Sequence, residues 1–108
     1  MPQRKTNLDE ALTLAEKAKG LAPRDGNVLD TLGLVYYLKQ MYDQAISALE
    51  SAKLSLPDNP IVRYHLGMAY YKRGLKDRAI TELSRAIEID NKFPMANEAQ
   101  KVLRELRG

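Results

Sequence analysis

A chain of 108 residues, 44% hydrophobic and 29% charged with a formal net charge of +3, has room for one domain or a piece of a larger one. It has no cysteine, which excludes disulfides and thiolate metal sites. No apolar run reaches the roughly 18 residues of a membrane span, so direct membrane insertion is not expected. The first residues, Met-Pro-Gln-Arg-Lys-Thr-Asn, lack the apolar centre of a signal peptide. Residues 1–62 carry 7 basic and 8 acidic groups, and residues 63–108 carry 10 and 6. Both signs interleave throughout, which argues against a one-signed nucleic-acid face.

The spacing of Leu8, Ala11, Leu12, Ala15 and Ala18 predicts a helix over residues 4–20. Pro23-Arg-Asp-Gly26 is a turn, and Asp25 or Asn27 is placed to cap a helix over 27–39. Val28, Leu29, Leu32, Val35 and Tyr36 form its apolar stripe, and Gln40-Met41 makes a tight connection. A helix over 42–55 follows, with Ala45, Ile46, Leu49 and Ala52 on one face. Pro57-Asp-Asn-Pro60 stops one helix and starts another over 60–73, which ends at Gly74. A further helix spans 76–90, and Phe93-Pro94 leads to a last one over 95–107. The expected architecture is therefore all-α, with about six helices.

The chain also repeats itself. Leu32-Gly-Leu-Val-Tyr-Tyr37 returns 34 residues later as Leu66-Gly-Met-Ala-Tyr-Tyr71. Laid over each other, 26–59 and 60–93 share ten identities, mostly small, apolar or aromatic. A fixed period of this length marks helical units that bury their apolar faces against their neighbours. The first helix matches the second half of a unit through Asp9/Asp43, Ala11/Ala45, Glu16/Glu50, Ala18/Ala52 and Pro23/Pro57. The expected division of this single domain is a half unit over 1–25, full units over 26–59 and 60–93, and a closing helix over 94–108. That division suggests a fragment of a longer array. In the closing helix Gln100, Lys101 and Arg104 replace the packing residues, as a cap facing water requires.

Leu-Gly-x-x-Tyr, then Ala-x-x-x-Leu-x-x-Ala, then Pro, at a period of 34 residues resembles the tetratricopeptide repeat. The residues are Leu32-Gly33, Tyr36, Ala45, Leu49, Ala52 and Pro57, then Leu66-Gly67, Tyr70, Ala79, Leu83 and Ala86. Leu29 and Arg63 stand at the family's Trp, Leu replaces its Phe, and Asn91 replaces the second Pro. The resemblance implies a right-handed superhelix, an α-solenoid, that binds other proteins and catalyses nothing. Gly33 facing Ala45, and Gly67 facing Ala79, would let paired helices approach to roughly 8–10 Å. The Tyr-Tyr pairs and the Phe-Pro step are similar to the C-terminal ends of long arrays in bacterial envelope proteins. The compartment stays open between the cytoplasm and, for a piece of such a protein, the periplasm or outer membrane.

No chemistry-bearing motif competes with this reading. The lone His65 is expected on an ordinary helix surface, and Gly33 and Gly67 are packing glycines rather than a phosphate loop. No cofactor or metal is expected. Lys72, Arg73, Lys76 and Arg78 bracket a helix end, where cations offset the dipole.

By analogy with the family, the first helix of each unit lines a concave groove. That face is expected to hold Asn27, Asp30, Leu34, Tyr37 and Leu38, then Ile61, Tyr64, Met68, Tyr71 and Lys72. Tyr, Met and Leu on a face left over from unit packing suggest a recognition surface for a protein or peptide with apolar anchors, the alternative being that the closing helix, the N-terminal helix or a second copy covers them. Few charges are expected to point into it. Some relatives grip a chaperone's C-terminal carboxylate with Lys, Asn and Arg in this groove. Here the slots hold Asp30, Leu34, Tyr64, His65 and Met68, which disfavours that role. The alternative function is self-assembly into homo-oligomers through exposed helix ends, with nucleic-acid binding a more distant third.

Overall fold

The computed structural model describes residues 7–108. These form six helices: α1 (Asn7–Leu21), α2 (Gly26–Leu38), α3 (Tyr42–Ser55), α4 (Pro60–Arg73), α5 (Lys76–Ile89) and α6 (Ala96–Arg107). The predicted first helix began at residue 4; residues 4–6 lie outside the described residues.

Local chemistry sets several helix ends. The Asp25 carboxylate accepts hydrogen bonds from the backbone N–H groups of Asn27 and Val28, satisfying donors that open α2. The Asn59 side chain does the same for Ile61 and Val62, with Pro60 supplying a preset φ at the first helical position of α4. At the end of α4, Gly74 turns the chain with φ of 84°. At the matching point after α2, Gln40 makes the turn with φ of 63°, a conformation that its Cβ disfavours.

α2 packs on α3 and α4 packs on α5 as two helical hairpins, with α1 ahead of the first and α6 behind the second. Each hairpin closes on a glycine. A Cβ at Gly67 would meet Leu83 Cγ at 2.7 Å, and one at Gly33 would collide with Leu49 in the same way. The glycines therefore face leucines, not Ala45 and Ala79 as the sequence suggested. Those alanines are fully buried in the same cluster as Leu49, Leu66 and Tyr70. The largest fully buried side chains are Leu32, Leu49, Leu66, Leu83 and Val62, which run the length of the stack.

The contacts between hairpins recur with the sequence period. The Tyr36 hydroxyl donates to Glu16 at 3.1 Å, and the Tyr70 hydroxyl to Glu50 at 2.5 Å. Lys39 pairs with Asp9, and Arg73 with Asp43 at 2.8 Å. Glu82 is only 5% exposed, and its carboxylate is met by Lys53 at 2.9 Å and Arg63 at 3.1 Å. Two cations on one buried carboxylate tie α3, α4 and α5 together and offset its desolvation.

Candidate functional site

Three helices bring side chains to one face: α2, α4 and α6. Asp30, Leu34 and Tyr37 on α2, and Tyr64, Met68 and Tyr71 on α4, follow at steps of four and three, so they line a single side of each helix. The face is aromatic at its centre. The Tyr37 and Tyr42 rings meet edge to face with centroids 5.7 Å apart, and the Tyr64 ring meets Phe93 at 5.9 Å. Burial raises the Tyr37 hydroxyl first, with further upward push from Tyr64, Tyr42, Tyr71 and Glu98. Burial and then Glu98 do the same to Tyr64. At Tyr71 the leading cause is the hydrogen bond it donates to Glu105, at 3.2 Å, followed by that carboxylate's charge. All three hydroxyls therefore stay protonated and neutral, and able to donate.

The ten residues expected in the groove divide into two groups. On α2, Asn27 is exposed, Leu34 and Tyr37 are partly exposed and Leu38 is 50% exposed. Asp30 is not free: its carboxylate lies 2.8 Å from His65 Nδ1. On α4, α6 takes up much of the face. Met68 is buried in a cluster with Phe93, Ala96, Ala99, Val102 and Leu103, and Ile61, Tyr64 and Tyr71 pack against that cluster. Lys72 stays exposed, with its ammonium 5.7 Å from the centre of the Tyr71 ring. Tyr37 of α2 packs against the same cluster, whereas Leu38 stays half exposed and Asn27 exposed. Large side chains on α4 fill the gap under the closing helix.

His65 differs from its expectation as well. It is not on an open helix surface: its side chain is 12% exposed, bonded to Asp30 and tilted against Tyr64 at 5.9 Å. The pair joins α2 to α4 and has the geometry of a strut between hairpins. Among the described residues no group of three or more His, Asp or Glu is placed to hold a metal ion, and no helix is long and apolar enough to cross a membrane. The basic run near Gly74 is dispersed: Arg73 pairs with Asp43, Lys72 lies over Tyr71 and Arg78 lies over the Tyr70 ring.

The sequence reading missed two members of this face, Glu98 and Glu105 on α6. The signal was present: shifted by the period, Glu98 and Glu105 occupy the positions of Tyr64 and Tyr71. A cavity lies elsewhere. Ser84, Ile87, Leu103, Arg104 and Arg107 line a cavity of about 630 Å³ between α5 and α6, open at the end of the stack.

Residues 36–106 match the family model described as tetratricopeptide repeat. No match was found among curated proteins. Solved structures share the fold. The first TPR of Spaghetti (RPAP3), bound to the HSP90 peptide SRMEEVD, superposes with a TM-score of 0.86 at 18% identity, over 94% of this chain and 78% of that one. The Yersinia enterocolitica type III secretion chaperone SycD, in complex with a peptide of the translocator YopD, gives 0.85 at 17% identity, over 94% and 80%. A thermophilic TPR protein of Thermus thermophilus gives 0.74 at 27% identity, over 93% of this chain and 50% of that one.

Proposed function

This chain belongs to the tetratricopeptide repeat family, and on that premise we propose that it is a non-catalytic protein-interaction scaffold. Units over 26–59 and 60–93, with the closing helix over 94–108, present one inner face. That face binds a peptide or helix through apolar anchors. The observation that carries the reading is the set Leu34, Tyr37 and Leu38 on α2 with Tyr71 on α4. These are large apolar or aromatic side chains that stay partly open to solvent, Leu38 most of all at 50%, after the hairpins have packed. Tyrosine suits the task because it contributes a wide ring at small entropic cost and keeps a hydroxyl for a hydrogen bond. The peptide complexes among the structural neighbours support the same reading, since a SycD structure and an RPAP3 structure each hold a peptide.

The test is a partner captured on the immobilised chain and then titrated against Tyr37→Ala and Tyr71→Ala. Each variant is expected to lose about 1–3 kcal/mol of binding while keeping its helical circular dichroism, since Tyr36 and Tyr70 carry the packing. Unchanged affinity in both variants would remove the site from this face.

A second reading, self-association, is favoured by one observation. Leu14 and Leu21 on α1 are 66% and 83% exposed, at the end of the stack away from α6. Sedimentation velocity over a range of concentrations separates the two readings, because a scaffold with a free inner face stays monomeric.

A further inference from the structure

The inner face carries a charge that the rest of the chain does not. The whole chain has a net charge of +3, yet three carboxylates, Asp30, Glu98 and Glu105, share the tyrosine face with one ammonium, Lys72. Asp30 is hydrogen-bonded to His65. Glu105 accepts from the Tyr71 hydroxyl, which is neutral and leaves the carboxylate's charge in place. Glu98 is exposed and forms no ion pair among the described residues. The rings around it have negative faces suited to a cation.

Resting on the interaction reading above, we propose that the segment bound by this face is basic: it carries a lysine or arginine beside its apolar anchors. The cation sits against the Tyr37 ring and pairs with Glu98, while an aliphatic or aromatic neighbour covers Leu34 and Leu38. The carboxylate supplies attraction and the ring face supplies a partly desolvated seat, so the two effects act on one group. An acidic segment meets the opposite: Glu98 and Glu105 repel it, and Lys72 is already drawn to Tyr71. In this respect the chain differs from the RPAP3 domain, whose bound peptide SRMEEVD ends in acidic residues.

The experiment is a selection of random 12-residue displayed peptides on the full chain, run in parallel on Glu98→Lys, Glu98→Gln and Tyr37→Ala. Glu98 is exposed and on the surface of α6, and circular dichroism checks that each variant is folded. Peptides retained by the wild type are expected to be enriched in Lys or Arg next to an apolar residue. A synthetic copy of one should bind Glu98→Lys about ten-fold or more weakly, with Glu98→Gln between, and should weaken as salt rises. Peptides that depend on Tyr37 but show neutral or acidic composition would overturn the basic-segment proposal and leave the interaction face standing. Equal binding to Glu98→Lys would overturn it in the same way. Peptides indifferent to Tyr37→Ala, or no retained peptides, would overturn both.

Discussion

Leu83 stands so close to the backbone of α4 at Gly67 that a single added carbon must displace it, and Leu49 stands the same way at Gly33. Gly67→Ala is therefore expected to lower stability by about 1–3 kcal/mol, and Gly67→Leu to separate the hairpin outright. A thermal melt unchanged in Gly67→Ala would remove the glycine from the packing account. The repeat made both glycines visible in the sequence, but not the leucines they face. Which residue meets a glycine depends on how the two helices cross, and periodicity within one helix does not contain that. Gln40 was missed for a different reason: glutamine gives no signal of positive φ, and only its alignment with Gly74 points to it. Gln40→Gly should relieve that strain and raise stability by about 0.5–1 kcal/mol, read as a higher melting temperature. Tyr70 adds a pH dependence. Burial, the hydrogen bond to Glu50 and the charges of Glu50 and Glu82 push its hydroxyl up to about 12, from an ordinary value of 10.0. Between those values the folded chain keeps a proton that the unfolded chain has released. Stability is then full below pH 10.0 and falls as pH climbs toward about 12. Tyr70→Phe should show a smaller alkaline loss in melts taken from neutral pH upward.

The two outer helices are held differently. α6 is anchored through Phe93, which is 4% exposed and packs with Met68 and the small residues Ala96 and Ala99. Phe93→Ala is expected to cost about 3–5 kcal/mol and to free the Tyr64 ring that it meets edge-on. α1 has one buried residue, Ala15, and leans on α2 through Tyr36–Glu16 and Lys39–Asp9. It should open first: hydrogen exchange is expected to show α1 amides exchanging faster than those of α4. Equal protection of α1 and α4 in a monomer would contradict this. The helix ends were legible because Asp25, Asn59, Pro60 and Gly74 each have a local backbone role. The seat of α6 on α5 and over Met68 was not. An amphipathic stripe tells which face of a helix is apolar but not which neighbour covers it, so the burial of Met68 and the strut from His65 to Asp30 became visible only in three dimensions.

Taken as a whole molecule, the stack has contacts that join its helices and a face whose side chains stay partly open to solvent. One row of contacts, Tyr36–Glu16, Tyr70–Glu50 and Arg73–Asp43, joins successive hairpins. The face shared by α2, α4 and α6 keeps its tyrosines and carboxylates partly open to solvent. The aromatic half of that face was legible, since Tyr37, Tyr64 and Tyr71 fall at steps set by the helix and the repeat and are expected together by analogy with the family. The acidic half was not, because Glu98 and Glu105 belong to a helix whose altered pattern marked it as a cap rather than a lining. The tyrosine face and the cavity beside Ile87 and Leu103 make different claims on a ligand. Chemical-shift mapping separates them directly: the isotope-labelled chain is titrated with a synthetic peptide retained in the display selection. The largest amide and ring perturbations are expected on Leu34, Tyr37, Leu38, Tyr71 and Glu98. Perturbations centred on Ile87, Leu103 and Arg107, or on the exposed leucines of α1, would contradict that placement.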